Sequence, residues 1–408
     1  MIISGRLVSP DQVRSGHIRI ENDEIVEVGC DLGRPDVEFG DDCLIFAGMG
    51  DIHIHARDDP SERETHKEDF TTAAAAAING GVVHVADMPN NPAAPIDDES
   101  YAAKQQHLCS RQVPIQVTLY AGIGPGTQPL STAVPYKAYM GPSVGDLFFT
   151  SLEQLDETLS RYRGQHVSFH CEDPLLLDKN QHAPTHEQRR PPECEFSATR
   201  FALAMIEKHN LTGKLCHYSV EEGLPLIRAA KQQGYQVTCE VTPHHLFFDE
   251  SQITAENRWL MQMNPPLRRA SDREAMLAAL RDGTLDYLAT DHAPHTLEEQ
   301  STGISGQPHL DTYGPFVTWL IGNQGFSPTR IAEVCSVNPG GFVNPYTAPR
   351  KFGRIEAGYV ASLTVLNLTR PVKIRRADLK TKCGWSPFEG ITFPGSVEAL
   401  FIDGNRMI

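Results

Sequence analysis

The chain has 408 residues, of which 40% are hydrophobic and 22% are charged, and its formal net charge is -16. This length exceeds one ordinary core, so we expect a large domain with a smaller one beside it. The acidic balance argues against nucleic acid or an anionic membrane as a partner, and no apolar run approaches the roughly 20 residues of a membrane span. Nine scattered cysteines without a CxxC pair and no recognisable signal peptide predict a cytoplasmic protein.

Short apolar or β-branched segments that end in polar residues predict eight strands in the middle of the chain. They are 48–55, 82–90, 115–122, 136–141, 166–173, 214–219, 237–245 and 287–295. Predicted helices fall between several of them, at 68–80, 196–210, 224–234 and 272–283. Strands that alternate with helices predict a parallel sheet, and eight such units predict a closed (β/α)8 TIM-like barrel of the α/β class.

The two ends of the chain have a different pattern. Residues 1–46 alternate between apolar and polar side chains, as do residues from about 359 onward. Each stretch is too short to form a stable sheet alone. We therefore predict a small β-sandwich domain built from 1–46 and 346–408, beside a barrel domain at 47–345.

Ionisable residues cluster at the predicted strand ends, where a barrel of this kind carries its chemistry. The set comprises four histidines with an arginine, a lysine and an aspartate: His53, His55, Arg57, Lys137, His170, His217 and Asp291. Taken singly, each has an ordinary structural explanation, such as a hydrogen-bonded core histidine or a helix cap. Together at matching strand ends they are costly to bury unless they are paired or bind a metal, and imidazole and carboxylate suit zinc and similar divalent ions.

The first of these segments, DIHIHARDD at 51–59, places histidine, histidine and arginine at every second position. In a strand such residues share one face, so His53, His55 and Arg57 are predicted to form a row. On a core-facing strand such a polar row is costly unless a function requires it.

An ordered set of motifs resembles the type I-like dihydroorotases of the amidohydrolase superfamily over essentially the whole chain. The motifs are GMGDIHIHARDDP, THKEDF, GGVVHVADMPNNP, KAYMG, VTCEVTPHHLFF, NPPLR and DHAPHT. A lone HxH motif would be weak evidence for the family, but seven sequence blocks in order at family-like spacing are specific evidence for it.

The resemblance implies a role for each candidate residue. His53, His55 and Asp291 would bind one divalent metal, His170 and His217 a second, and Lys137, as N6-carboxylysine, would bridge both. Zinc is the metal that such histidine-rich sites favour. The implied substrate-binding residues are Arg57, Asn90, Asn264, His295, Pro308 and His309. His244 and His245 are expected to be scaffold, and Asp173 to cap the following helix.

The implied reaction is the reversible hydrolysis of the ring amide of (S)-dihydroorotate to N-carbamoyl-L-aspartate, a step of de novo pyrimidine (UMP) biosynthesis. A hydroxide between the metals would attack the carbonyl, and Asp291 would act as general acid and base. The partner is then a small molecule, and a homodimer is compatible with the sequence.

Three alternatives remain open at this level. An allantoinase or a dihydropyrimidinase (hydantoinase) would open a related ring with a similar site, and Arg57, Asn90, NPPLR and DHAPH together disfavour both. A non-enzymatic partner of aspartate transcarbamoylase would have lost ligands, whereas this chain keeps every proposed one. A metal-dependent deaminase would not need Lys137.

Overall fold

The computed structural model describes residues 1–142 and 147–408. Its strands, in chain order, are β1 Ile2–Val8, β2 Val13–Glu21, β3 Glu24–Gly29, β4 Val37–Glu38, β5 Cys43–Ala47, β6 Met49–Ile54, β7 Val82–Asp87, β8 Gln116–Leu119, β9 Ala121–Ile123, β10 Tyr136–Tyr139, β11 His166–His170, β12 Thr212–Leu215, β13 Val237–Val241, β14 Tyr287–Leu288, β15 Leu363–Asn367, β16 Val372–Lys373, β17 Thr392–Phe393, β18 Ser396–Ile402 and β19 Asn405–Arg406.

The α-helices are α1 Phe70–Asn79, α2 Asp98–Arg111, α3 Leu152–Leu159, α4 Pro174–Asn180, α5 His186–Arg189, α6 Pro192–Lys208, α7 Leu224–Gln232, α8 Pro243–Phe247, α9 Ala270–Asp282, α10 Leu297–Gln300, α11 Tyr313–Gly322, α12 Pro328–Ala332 and α13 Asn338–Thr347. Short 3-10 turns lie at Glu221–Gly223, Glu250–Gln252, Leu310–Thr312 and Arg376–Asp378, and one π-turn at Glu333–Val337. None of these helices has both the length and the apolar character of a membrane span.

The middle of the chain forms a ring of parallel strands, as predicted. Strands β6, β7 and β8 pair in parallel, and so do β9 to β14 in chain order. The last strand returns to the first through a parallel bridge between Ile54 and His292, and the His55 amide donates to the His292 carbonyl at 2.7 Å. Strands β6, β7 and β10 are buried throughout, as expected when helices cover the outside of a parallel barrel.

All eight predicted strands and all four predicted helices are present, but several strands end earlier than their sequence suggests. The third position is divided into β8 and β9 at Tyr120, and the eighth strand is only Tyr287–Leu288. The stretch predicted as strand at 237–245 ends at Val241, and α8 begins at Pro243 with Thr242 as its N-cap. Proline has no amide proton to offer a strand neighbour and fits the first turn of a helix, which explains the change.

The two ends of the chain share one sheet. Its order is β19-β18-β15-β5-β1-β2-β3, with β4 added on β1, and the antiparallel pair β5–β15 joins the N-terminal strands to the C-terminal ones. The sheet has its own apolar cluster, which includes Ile18, Ile45 and Phe401. The shared sheet agrees with the sequence, whereas its description as a separate sandwich domain and the boundaries at 46/47 and 345/346 stay predictions.

Candidate metal centre and substrate cavity

A cavity opens at the C-terminal ends of the barrel strands. The residues that line it are His53, His55, Arg57, Asn90, Tyr139, His170, His217, Asn264, Asp291, Ala293, Ser305 and Gly306. Eight of these were singled out from the sequence as metal or substrate ligands. The parallel barrel explains the convergence, because every strand delivers its C-terminal end to the same rim.

His53, in β6, and His55, which follows that strand, both point their Nε2 atoms at Asp291. The Nε2 atoms of His53 and His55 lie 3.2 and 3.1 Å from Oδ1 of Asp291. Their Nδ1 atoms are occupied elsewhere: that of His53 contacts the Glu240 carboxylate, and that of His55 lies 2.8 Å from Oδ1 of Asn90. When Nδ1 carries the proton that it donates, Nε2 presents a lone pair.

This arrangement fits a cation. Two imidazole lone pairs and a carboxylate oxygen converge with no donor between them, which is unfavourable unless a positive ion or a proton lies there. His53, His217 and Asp291 together bring ligand atoms within 4.8 Å of one another, a spacing that one metal ion can span. The donor set therefore fits a histidine- and carboxylate-bound divalent metal.

His170 and His217 form the other side of the same cluster. Their ring centroids are 4.6 Å apart, and the ring of His53 lies 5.4 Å from that of His217. Nε2 of His170 is 2.7 Å from Oε2 of Glu172, so its other nitrogen is the one left for a ligand. The buried Nδ1 of His217 has no hydrogen-bond partner among the described residues.

Burial sets the protonation of the cluster. It lowers the pKa of His53, His55 and His217 well below the usual value, and the positive charge of a neighbouring side chain adds to this in each case, with Lys137 acting on His53. Burial also raises the pKa of Asp291 to about 7. Neutral imidazoles are the form that binds metals, so the histidines are already in the ligating state at neutral pH.

Lys137 is fully buried on β10 beside these residues. Its Nζ donates to the Cys216 sulfur at 3.0 Å, and it forms no ion pair with an acidic residue in the described part of the chain. A buried ammonium with a thiol as its acceptor is costly, because sulfur is a weak acceptor. The Lys137 amine is therefore buried without an acidic partner among the described residues.

Arg57 and Asn264 offer unpaired polar atoms to the other part of the cavity. The Arg57 side chain is buried, Nη2 lies 3.1 Å from Nε2 of His295, and Nη1 has no partner among the described residues. Oδ1 of Asn264 is likewise buried without a partner. His295 holds the guanidinium in place from behind, and burial followed by the Arg57 charge lowers its pKa. A small anion with a hydrogen-bond donor would satisfy both free atoms.

Pro308 and His309 are buried but do not line this cavity as described. His309 stacks on His244, with Nε2 3.0 Å from Nδ1 of that ring, and its amide donates to Nδ1 of His292 at 3.0 Å. Ser305 and Gly306, earlier in the same loop, face the cavity instead. The substrate contacts assigned to Pro308 and His309 from the sequence stay predictions that this geometry does not favour.

Two expectations about supporting residues agree with the structure. Asp173 caps α4 by accepting from the amides of Leu175 and Leu176. His245 bonds Thr242 Oγ1 at 2.8 Å and the Pro265 carbonyl at 3.1 Å, outside the cavity lining. Both contacts are structural.

Sequence reasoning missed several contributors. Tyr139 lines the cavity, and its position two residues after Lys137 on one strand was the available signal. Glu240 was also missed: it contacts His53, accepts from the His217 amide at 3.2 Å and pairs with Lys214 inside the barrel. No spacing rule links a residue on β13 to histidines on two other segments.

Residues 44–407 match the amidohydrolase family, and the chain belongs to that family. It is a cyclic amide hydrolase, in keeping with its curated relatives.

Those relatives include dihydroorotases along nearly the full length. The dihydroorotase of Pediococcus pentosaceus is 30% identical, with 99% of this chain and 98% of that protein covered. That of Pyrococcus furiosus is 29% identical over 99% and 92%, and that of Brevibacillus brevis 32% identical over 89% and 87%.

Two solved structures that share the fold are named hydantoinase or dihydropyrimidinase, and not dihydroorotase. An L-hydantoinase (dihydropyrimidinase) from Arthrobacter aurescens has a TM-score of 0.88 at 23% identity, with 99% of this chain and 95% of that chain covered. A dihydropyrimidinase from Brevibacillus agri has a TM-score of 0.86 at 20% identity, over 100% and 94%. At these identities the likeness shows the fold alone.

Proposed function

We propose that this protein is a dihydroorotase, which reversibly hydrolyses the ring amide of (S)-dihydroorotate to N-carbamoyl-L-aspartate in de novo pyrimidine biosynthesis. The observation that carries the proposal is the buried Arg57 guanidinium, whose free Nη1 lies in one cavity with the four clustered histidines. Dihydroorotate brings a carboxylate that a guanidinium binds through two parallel hydrogen bonds. Full-length relatives named dihydroorotase support the same substrate.

The polar atoms of the cavity suggest how the substrate is held. Arg57, braced by His295, takes the carboxylate, and the free Oδ1 of Asn264 accepts from a ring N–H. Asn90 holds the His55 ring by its Nδ1 and lines the same wall. Fixed groups of this kind position the amide carbonyl against the histidine cluster at little entropic cost during reaction.

We propose two divalent metal ions, zinc above others, as cofactors. His53, His55 and Asp291 would hold one and His170 and His217 the other, with Lys137 carrying a carboxylate as N6-carboxylysine between them. When bound, the metals supply activation of water and polarisation of the amide carbonyl. The buried and poorly paired amine of Lys137 supports the modification, since a carbamate would replace an isolated positive charge with ligating oxygens.

Asp291 is the proposed general acid and base. Its carboxylate stands at the centre of the cluster, and burial raises its pKa to about 7. A carboxyl group with a pKa in this range takes and returns protons readily at neutral pH. It would accept a proton from the attacking water and return it to the ring nitrogen as the amide bond breaks.

The deciding experiment compares L-dihydroorotate with allantoin, hydantoin and dihydrouracil on one preparation of the wild-type protein, with its metal content measured. We expect turnover of dihydroorotate to exceed that of the other three by at least about 100-fold, because those three lack the carboxylate that Arg57 binds. Turnover of allantoin, hydantoin or dihydrouracil without dihydroorotate would refute the proposal and identify an allantoinase or a dihydropyrimidinase instead.

A further inference from the structure

One unpaired polar atom of the cavity, the hydroxyl of Tyr139, has not been given a role. The Tyr139 side chain is only 3% exposed, it lines the cavity, and its hydroxyl has no hydrogen-bond partner among the described residues. Buried hydroxyls normally find a partner, so an unpaired one facing a cavity indicates a missing ligand. Unlike the neighbouring Arg57, it brings an uncharged O–H donor.

The surroundings place the Tyr139 ring at the histidine-rich end of the cavity. Tyr139 pairs with His170 across β10 and β11, and its ring centroid lies 6.0 Å from that of His170. Nζ of Lys137 lies 5.1 Å from the centre of the same ring. The tyrosine is therefore packed among the proposed metal-binding residues.

We propose that Tyr139 is a further catalytic residue, whose hydroxyl donates a hydrogen bond to the carbonyl oxygen of the amide that is opened. This inference rests on the proposed function for the identity of the ring, but any cyclic amide brings the same carbonyl. A fixed donor at that oxygen gains strength as negative charge develops there, and so it lowers the barrier more than it tightens substrate binding.

The test is Tyr139→Phe in the full-length, metal-loaded protein. The change removes one oxygen that has no partner to leave unpaired, so the fold and the metal content should be retained. We expect kcat to fall at least about 10-fold while KM changes less than about 3-fold. Melting temperature and metal content are measured on the same samples.

Tyr136→Phe is the matched control. Tyr136 lies on the same strand but on its other face, where its hydroxyl accepts from the Leu130 amide at 2.8 Å and its ring packs on Tyr162. Its kinetics should match those of the wild type.

Three outcomes would overturn the role of Tyr139. They are a kcat/KM within twofold of the wild type, an effect on KM alone, or a loss of metal or of thermal stability that accounts for the lost activity. A wild type that is inactive on dihydroorotate would refute the proposed function instead, and the Tyr139→Phe comparison would then be made on whichever cyclic amide it opens.

Discussion

Three residues of the cavity have left-handed backbone conformations, which residues other than glycine rarely adopt. Arg57, His217 and Asp291 have φ angles of 55°, 36° and 49°. Each follows the end of a barrel strand and turns its side chain into the cavity. Left-handed conformations at such residues cost of order 1–3 kcal/mol each and tend to cluster at active sites, where surrounding contacts enforce them. Here the contacts of Glu240 with His217 and of His295 with Arg57 provide that enforcement.

Arg57 should decide which ring is accepted. In Arg57→Met we expect kcat/KM for dihydroorotate to fall at least about 100-fold, because the substrate carboxylate would be buried without a partner. Turnover of uncharged dihydrouracil, if measurable, should not fall with it. Arg57→Lys should be intermediate, since it keeps the charge and loses the fork. An equal loss on both substrates would show that Arg57 supports the fold and not recognition.

Lys137 should control metal binding. Lys137→Ala is expected to lose at least half of the bound metal, measured by elemental analysis, because the proposed bridging carboxylate is gone. Short carboxylic acids should restore part of the metal and part of the activity. The control is Lys231→Ala, which removes a lysine paired with Asp286 on the outside of the barrel and should keep the metal. Full metal content and full activity in Lys137→Ala would exclude a bridging carbamate.

At the scale of elements, the site residues that could be predicted from the sequence are those at the ends of barrel strands. Residues such as His53 and His55 were found because a strand alternates its faces, and a parallel barrel brings strand ends together whatever their distance in the chain. Tyr139 was missed although it shares a strand face with Lys137, and Glu240 was missed because a glutamate in a strand carries no signature of its own. In the 300–310 loop, Ser305 lines the cavity and His309 does not, a detail that the sequence could not supply because loop geometry depends on contacts that have no sequence period.

Glu240 links two elements of the site to the barrel interior. Its carboxylate contacts the ring of His53, the amide of His217 and the ammonium of Lys214, and both members of the Lys214–Glu240 pair are fully buried. This carboxylate keeps the proton of His53 on Nδ1 and so leaves Nε2 free for a ligand.

Glu240→Gln should therefore weaken metal binding. In the glutamine variant an NH2 group would face N–H groups that now donate to the Glu240 carboxylate. We expect metal affinity to fall about 10- to 100-fold in a chelator competition assay. Glu195→Gln is the control, because Glu195 is a buried acid that pairs with Arg268 and the Ser219 amide and bonds no histidine in the described part of the chain. Unchanged metal affinity in Glu240→Gln would contradict this positioning role.

At the scale of the whole molecule, the C-terminal part of the chain is tied to the barrel at two places. Trp385, close to the C-terminal strands, is buried and donates from its indole nitrogen to the His295 carbonyl at 2.7 Å. The Thr364 hydroxyl accepts from the Met49 amide at 3.0 Å and donates to the Gly81 carbonyl at 2.8 Å, which joins β15 to the starts of the first two barrel strands. The sheet thus contacts the barrel at the starts of its first two strands, and Trp385, outside that sheet, contacts His295, the residue that braces Arg57.

The number of buried histidines predicts that the metal-free protein loses stability in mild acid. The pKa is lowered, with burial as the main cause, for eleven histidines: His53, His55, His84, His166, His170, His186, His217, His244, His245, His295 and His309. Each remains neutral in the folded chain but takes up a proton in the unfolded chain below about pH 6.5. Stability is therefore lost as the pH falls below that value, by up to about 1.4 kcal/mol per histidine and pH unit.

Buried carboxyl groups with a raised pKa act in the opposite direction, since they favour folding as the pH falls toward about 4. They are fewer: Asp51, Glu195, Asp286, Asp291 and Asp311. The histidines therefore dominate, and we expect the free energy of unfolding of the metal-free protein, measured with denaturant, to be lower at pH 5.5 than at pH 7.5. Replacing His84, whose two ring nitrogens have no hydrogen-bond partner among the described residues, by phenylalanine should reduce this pH dependence by about one proton. An unfolding free energy that stays constant between these pH values would contradict the buried neutral state of the histidine cluster.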